Sequence, residues 1–148
     1  PARFACAVTT NGTSLLVLGH AALPRLARGS TIFFLTSRGG RSVVPNYAAI
    51  GVAKALAESL MRYLAVELAP RGIRINAIAP AIVETDAVRT LFGAQAPDLV
   101  RDAASHNPSG RGVAAADYTA LMRWLASAEA AFVQGQVIFV NGGANLSA

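Results

Sequence analysis

Hydrophobic positions along the chain follow two different spacings, which predict alternating helices and strands. Apolar residues recur at helical spacing in three segments and predict helices over residues 13–28, 48–68 and 117–127. Short apolar runs rich in β-branched and aromatic residues predict buried strands over residues 31–37, 73–79 and 136–140. Between the last two strands, residues 81–112 mix short helical pieces with Pro and Gly, and long irregular segments of this kind are often functional lids.

The order of these elements is helix, strand, helix, strand, irregular segment, helix, strand. Strands that alternate with helices are joined by right-handed crossovers and form a parallel sheet covered on both faces. The predicted fold class is therefore α/β, with a Rossmann-type doubly wound parallel sheet. Only three strands are predicted, however, and no G-x-G-x-x-G loop follows any of them. We expect residues 1–148 to be the C-terminal portion of a single dinucleotide-binding domain, with the first half of the fold absent.

The composition is that of a globular domain with few charges. Of the 148 residues, 53% are hydrophobic and 14% are charged. No run approaches the roughly 20 apolar residues that a membrane helix needs, and the start does not resemble a signal peptide, so we expect a cytoplasmic protein without a membrane partner. Cys6 is the only cysteine, and His20 and His106 have no neighbouring ligands at metal-binding spacing. The sequence therefore predicts neither an internal disulfide nor a metal site.

The charge balance is basic, with 13 basic and 8 acidic residues and a net charge of +5. A basic balance can indicate nucleic-acid binding. The arginines are scattered, however, and no aromatic side chains lie between them to stack on bases, so no nucleic-acid partner is expected. Dispersed positive charge fits an anionic cofactor or an acidic protein partner equally well. Lys54 is the only lysine in the chain.

The stretch LTSRGGRSVVPNYAAIGVAK holds the candidate chemistry of the chain. Tyr47 stands at a predicted helix entrance and Lys54 follows seven residues later, so their side chains lie on one helix face, roughly 10 Å apart along the axis. A nearby ammonium group lowers the pKa of a phenol and makes it a useful acid. Ser37, at the end of the preceding strand, is expected beside the same cleft, because ligands bind at strand carboxyl ends in open α/β sheets. Spacing alone also allows a packed Tyr47 and a solvated Lys54.

Several stretches together resemble the C-terminal part of a short-chain dehydrogenase/reductase. They are residues 35–54, the strand IRINAIAP, the segments VETDA and NPSGR, and the ending GQVIFVNGG. The spacing Tyr-x6-Lys, in place of the usual Tyr-x3-Lys, is similar to the divergent branch that contains enoyl-acyl carrier protein reductases. The resemblance covers essentially the whole chain but only the later part of a family member.

The resemblance implies roles for four side chains. Tyr47 would protonate an enolate oxygen, and Lys54 would hold the nicotinamide ribose hydroxyls. Ser37 lies 17 residues before Lys54, where ordinary family members place a catalytic serine, although many enoyl reductases have an aromatic residue there. Asn11 is similar to a helix asparagine that holds a proton-relay water in classical members. A helix N-cap is the equally weighted alternative for Asn11.

The segment that follows the second predicted strand resembles the family turn Pro-Gly-x-(Ile/Val)-x-Thr. By this resemblance, Pro80 begins the turn, the backbone at Val83 binds the nicotinamide carboxamide, and Thr85 lies near the carboxamide or the pyrophosphate. Ala81 replaces the usual glycine, which matters only if that position needs a positive φ. A turn that simply ends the strand is the alternative.

The resemblance implies an NADPH- or NADH-dependent enoyl-acyl carrier protein reductase, acting in fatty acid or polyketide synthesis. The substrate would be an enoyl thioester on acyl carrier protein, with residues 83–112 as part of the acyl lid. A homodimer or homotetramer is expected, because family members pair the helices equivalent to 13–28 and 48–68 across subunits. Two alternatives remain open at this stage: a 3-oxoacyl reductase of the same family, and a truncated, non-catalytic half-domain that binds no dinucleotide by itself.

Overall fold

The computed structural model describes residues 1–146, which form six α-helices and three β-strands. In chain order the elements are α1 (Ala2–Val8), α2 (Ser14–Ala22), β1 (Thr31–Leu35), α3 (Ala48–Leu68), β2 (Arg74–Pro80), α4 (Asp86–Phe92), α5 (Ala96–Ser105), α6 (Ala115–Ala126) and β3 (Val137–Val140). Short 3-10 turns follow several of these elements, and the π-helical turn Thr9–Thr13 joins α1 to α2. No helix within residues 1–146 is long and apolar enough to cross a membrane.

The three strands form one parallel sheet in the order β1-β2-β3. Leu35 pairs with Ile78 at the end of β1, and Pro80 pairs with Val140 at the end of β3. The carboxyl ends of all three strands therefore lie along one edge of the sheet. The predicted α/β class and the parallel sheet are confirmed.

Helices cover both faces of the sheet, as in a doubly wound fold. On one face, α3 and α2 pack on alternate strand residues in a core that includes Leu15, Met61 and Ile75. On the other face, α6 packs in a second core around Ile78 and Leu125. Successive strand residues point to opposite faces, which is why neighbours such as Ala77 and Ile78 belong to different cores.

The prediction of a first helix over residues 13–28 is wrong at both ends. Helical structure begins at Ala2, passes through the π-helical turn, and ends in the 3-10 turn Leu23–Arg25. The early part of this segment has no clear apolar periodicity, and packing against α3 stabilises it instead. Gly12 is buried there, and a Cβ atom at this position would lie 3.1 Å from the Ala53 carbonyl oxygen.

Smaller boundary differences have local causes. The strand predicted over 31–37 ends at Leu35, although the Thr36 N–H still donates to the Ile78 carbonyl; the hydroxyl groups of Thr36 and Ser37 have partners described below. The helix predicted from residue 117 begins two residues earlier, because Asp117 accepts a hydrogen bond from the Ala114 backbone N–H and stabilises the first turn. The other two strands each shift by one residue, and the helix predicted over 48–68 matches α3.

Two polar residues of β2 connect the sheet to the segment before β3. Asn76 is completely buried; its amide donates to the Val133 carbonyl at 2.9 Å and its Oδ1 accepts from the Gln136 backbone N–H at 2.9 Å. Arg74 donates to the carbonyl oxygens of Leu125, Ser127 and Ala130, at the end of α6 and in the turn after it. These contacts satisfy carbonyl groups that the helix end leaves without intrahelical partners.

Candidate active site

The candidate active site lies at the sheet edge formed by the carboxyl ends of β1 and β2. Tyr47 is the residue immediately before α3, as the sequence predicts, and its side chain is half-buried. Asn46 has a φ of 59°, which is the left-handed region that asparagine tolerates better than most residues. This residue reverses the chain after the loop, so that α3 starts beside the end of β1.

The Tyr47 ring lies over the glycine turn that follows β1. A Cβ atom at Gly39 would be 2.6 Å from two ring carbons of Tyr47, and one at Gly51 would be 3.7 Å from the ring and 2.7 Å from the Gly39 carbonyl oxygen. The two glycines therefore let the turn, the ring and the first turn of α3 approach one another closely. The phenol is not sealed in aliphatic packing.

The Lys54 side chain reaches back across the end of β1. Its Nζ donates to the Leu35 carbonyl oxygen at 2.8 Å and lies 4.8 Å from the centre of the Phe34 ring. Burial lowers the pKa of Lys54 below the usual lysine value, and the negative charge of Glu58 opposes this change. The ammonium group therefore has partners at the end of β1, where the alternative expectation was a solvated side chain.

A buried carboxylate lies one helical turn beyond Lys54. Glu58 is only 2% exposed; it accepts a hydrogen bond from Thr36 Oγ1 at 2.7 Å and forms a salt bridge with Arg41 Nε at 3.0 Å. Sequence reasoning missed this group. The signal that could have found it is a charged residue in the buried stripe of α3 that also contains Ala57, Met61 and Ala65.

The other two predicted catalytic side chains are those of Ser37 and Asn11. Ser37 follows β1, and its Oγ accepts a hydrogen bond from the Gly39 N–H at 3.2 Å, which stabilises the 3-10 turn under Tyr47. Asn11 lies inside the π-helical turn and donates to the Ala7 carbonyl at 3.4 Å. The N-cap interpretation of Asn11 is therefore wrong, because the residue is within a helical segment rather than at its start.

The segment after β2 contributes backbone and a hydroxyl at the same edge. Pro80 ends β2, Val83 is half-buried in the extended stretch that follows, and Thr85 Oγ1 caps α4 by accepting from the Val88 N–H at 3.3 Å. Ala81 donates to the Val140 carbonyl at 3.0 Å and is not among the residues with positive φ. Alanine in place of the family glycine therefore creates no backbone strain here.

The predicted irregular segment contains two short helices, α4 and α5, and ends in a polar turn. Asn107 is buried and donates to the Asn141 carbonyl at 2.9 Å, while its Oδ1 accepts from the Ser109 backbone and hydroxyl groups. A cavity of about 450 Å³ lies between this turn and the end of β3. The hydrogen bond from Asn107 thus connects the end of this segment to the residues after β3. Within residues 1–146, no three His, Cys, Asp or Glu side chains are grouped as a metal site requires.

Substitution of Gly51 by alanine tests the close approach at the start of α3. We expect the free energy of unfolding to fall by about 1–2 kcal/mol, because the new Cβ would collide with the Gly39 backbone, which cannot move aside as a side chain can. Urea denaturation measures the change. Gly19→Ala in α2 is the matched control: its Cβ meets open space, so stability should stay the same or rise. A Gly51→Ala variant as stable as Gly19→Ala would contradict the described contact.

Comparisons with known proteins agree on one family. The family model described as enoyl-(acyl carrier protein) reductase matches residues 1–145. An enoyl-[acyl-carrier-protein] reductase [NADH] from a Nostoc species is 37% identical over 142 residues, which cover 96% of this chain and 54% of the relative. The chain therefore spans about half the length of the curated relatives it matches.

Solved structures give the same result. The enoyl-[acyl-carrier-protein] reductase (NADH) of Aquifex aeolicus superposes with a TM-score of 0.86 at 34% identity, covering 95% of this chain and 54% of that one. The Bacillus cereus enoyl-acyl carrier protein reductase, solved with NADP+ and indole naphthyridinone, gives 0.84 at 30% identity, covering 93% and 53%. The likeness therefore extends over nearly all of this chain.

Proposed function

Because this chain belongs to the enoyl-(acyl carrier protein) reductase family, we propose that the protein containing it reduces an enoyl thioester on acyl carrier protein. The observation that carries the proposal is the arrangement at the end of β1. Tyr47 begins α3 over the glycine turn, and the Lys54 ammonium group, seven residues later, is fixed at the Leu35 carbonyl. The Tyr47 ring and the Lys54 ammonium group thus both lie against the segment around the carboxyl end of β1. Ligands bind at this edge of the sheet in folds of this kind.

The residues at this edge fit the nicotinamide half of a dinucleotide cofactor. An ammonium group has three N–H donors, and Lys54 gives only one of them to Leu35, which leaves two for ribose hydroxyl groups. The backbone at Val83 and the hydroxyl of Thr85, after β2, would face the carboxamide or the pyrophosphate, with Pro80 fixing the start of that turn. The cofactor is NADH or NADPH; relatives named for NADH and a neighbour solved with NADP+ support the nicotinamide class.

The chemistry divides between the cofactor and the side chains of this chain. When bound, a reduced nicotinamide would supply the hydride for the β-carbon of the enoyl thioester. Negative charge then develops on the thioester oxygen, and Tyr47 donates its phenolic proton to that oxygen. Lys54 holds the ribose and stabilises the phenolate that Tyr47 becomes. Ser37 supports the turn beneath the ring, and Asn11, by its resemblance to the helix asparagine of classical family members, would hold a proton-relay water.

The seven-residue spacing suits an enoyl substrate better than a ketone. Counting back four residues from Lys54, the ordinary family tyrosine would fall at Ile50, which cannot donate a proton. Tyr47 lies about one helical turn nearer the start of α3. In enoyl reduction the negative charge develops on an oxygen that two carbon atoms separate from the carbon that accepts hydride, so a donor displaced along the cleft is placed to reach it.

The wider organisation of the protein follows from the same family assignment. Residues 1–148 would be the C-terminal portion of one dinucleotide-binding domain in a cytoplasmic enzyme, with residues 83–112 as the lid over the acyl chain. We further propose a homodimer or homotetramer. Its support is the exposed apolar surface on the two long helical segments, where Val17 and Leu18 of α2 and Val66 of α3 are each more than 60% exposed.

Turnover of two thioesters tests the proposed reaction. We expect the complete protein to oxidise NADH or NADPH with crotonyl-acyl carrier protein at least tenfold faster than with acetoacetyl-acyl carrier protein. Nicotinamide absorbance measures both rates, and cofactor fluorescence measures binding without substrate. Faster turnover of the acetoacetyl thioester would contradict the proposal and favour 3-oxoacyl reduction, for which the position of Ser37 is the supporting observation. Absence of cofactor binding would contradict both reactions and favour a non-catalytic protein.

A further inference from the structure

Glu58 has a buried carboxylate close to the candidate active site, and the proposed reaction does not use it. Glu58 is only 2% exposed, although it is charged. The other buried residues of α3 are small or apolar. Burial of an ionised carboxylate is costly unless hydrogen bonds and an opposite charge compensate for it. The contacts that provide this compensation indicate what the residue does.

Those contacts all come from the segment that follows β1. Thr36 Oγ1 donates to Glu58 Oε1 at 2.7 Å, and Arg41 Nε donates to Oε2 at 3.0 Å. Gly40 leaves room for the carboxylate, because a Cβ atom there would be 2.7 Å from Oε1. Glu58 therefore joins the middle of α3 to both ends of the turn on which the Tyr47 ring lies.

Lys54 and Glu58 are held by two consecutive residues at the end of β1. The Leu35 carbonyl accepts from Lys54 Nζ at 2.8 Å, and the next residue, Thr36, donates to Glu58. On a helix, residues four apart are neighbours on one face, about 5–6 Å apart at Cβ. The carboxylate is therefore the nearest negative charge to Lys54 on α3.

We propose that Glu58 is a positioning residue, which keeps Lys54 charged and fixed beside the Tyr47 turn by supplying a buried negative charge one helical turn away. The inference rests on the proposed function only for its catalytic consequence. The charge relation between Glu58 and Lys54 is a property of this chain that can be measured without substrate.

The charged and titratable groups around Lys54 are few. On α3 they are Glu58 and, at the helix start, Tyr47. The segment after β1 contributes Arg41, which pairs with the far oxygen of Glu58, while Arg38 pairs instead with Asn145 Oδ1 at 2.7 Å. From β1, Lys54 meets only the Phe34 ring and the Leu35 carbonyl. Burial lowers the pKa of Lys54, and Glu58 is the group that opposes this effect.

A pH titration of Lys54 by NMR tests the proposal. Lysine labelled with ¹³C at Cε is incorporated into the complete protein, and a Lys54→Arg variant identifies the signal of Lys54, the only lysine of this chain. In Glu58→Gln, which keeps the shape of the side chain, we expect the pKa of Lys54 to fall by about one pH unit, since a nearby negative charge is lost.

The sign of this change separates an electrostatic role from a structural one. If Glu58→Gln only loosened the packing, Lys54 would become more hydrated and its pKa would rise toward the ordinary lysine value. A rise or no change would therefore overturn the proposal. Glu67→Gln is the matched control, because it removes the same charge from the exposed end of α3 and should leave the Lys54 signal unchanged.

A second variant keeps the proposal testable if Glu58→Gln does not fold. Arg41→Gln removes the positive charge paired with Glu58 while Thr36 still donates to the carboxylate and a glutamine amide can also donate to it. The Glu58 charge is then left to act on Lys54. We expect the pKa of Lys54 to rise; a fall or no change would overturn the proposal.

The pH profile of the enzyme separates the failure of this inference from that of the proposed function. In Glu58→Gln, the alkaline limb of kcat/KM should move to lower pH by the same amount as the Lys54 titration. If the pKa of Lys54 falls but the alkaline limb of kcat/KM does not move, the effect of Glu58 on Lys54 is retained. The proposed role of Lys54 in the reaction is then contradicted. An unmoved titration would contradict the inference itself.

Discussion

Replacement of Tyr47 by phenylalanine is expected to lower kcat for crotonyl-acyl carrier protein by about 10²–10⁴-fold, the range typical for loss of a general acid. The ring should keep its place, because its contacts with Gly39 and Gly51 involve ring carbons and not the hydroxyl group. Only the proton for the enolate oxygen is lost. Cofactor affinity, measured by fluorescence titration, should stay within about threefold, since the Lys54 contact with Leu35 is unaffected.

Tyr63→Phe provides the matched control for this substitution. Tyr63 lies on the same helix but is 70% exposed, far from the end of β1, so its hydroxyl group has no role in the proposed reaction. The control should retain the wild-type kcat. If Tyr47→Phe also retained it, another group would have to supply the proton, and the proposed mechanism would be wrong.

Replacement of Asn76 by alanine is expected to lower the free energy of unfolding by about 2–4 kcal/mol. The side chain is completely buried and makes two hydrogen bonds, to the Val133 carbonyl and from the Gln136 N–H. Its loss leaves two part-buried backbone groups without these partners, and an unsatisfied buried group costs about 1–3 kcal/mol. The segment before β3 would lose its connection to β2, so the third strand should also exchange its amide hydrogens faster.

Urea denaturation and hydrogen exchange of the complete protein measure these two effects. Gln136→Ala is the control, because the Gln136 side chain is exposed and only its backbone N–H contacts Asn76. Removal of that side chain should change stability by less than about 0.5 kcal/mol. Equal stability of the two variants would show that Asn76 does not join β2 to the segment before β3.

Local sequence signals predict the elements whose ends depend on local stereochemistry. The bounds of α3 match the prediction, because Pro70 and Gly72 stop the helix, and Gly72 adopts a left-handed φ of 67°. The buried strands and their parallel order also follow from apolar runs alternating with helices. Tyr47 lies directly before α3 and Lys54 lies within it, as the helical pattern predicts.

The first helix shows where this reasoning fails. The residues before 13 carry no clear apolar stripe, yet they are helical through a π-helical turn, because Gly12 packs directly against Ala53 of α3. Gly12 and Ala53 are 41 residues apart in the chain, and a contact of this kind cannot be predicted from the apolar periodicity of either segment. The interpretation of Asn11 as an N-cap was wrong for the same reason.

The sequence by itself therefore determined the α/β class, the parallel sheet and the bounds of α3, which place Tyr47 directly before that helix and Lys54 within it. Each of these depends on the repeat of the backbone or on residues close together in the chain. Only the tertiary structure decided the partners of Lys54 and the burial of Glu58. The hydrogen-bond partners of Glu58, Thr36 and Arg41, lie 22 and 17 residues away from it in the chain. Desolvation and charge pairing depend on which segments pack against each other in the folded protein. The spacing of residues within one segment does not predict those contacts.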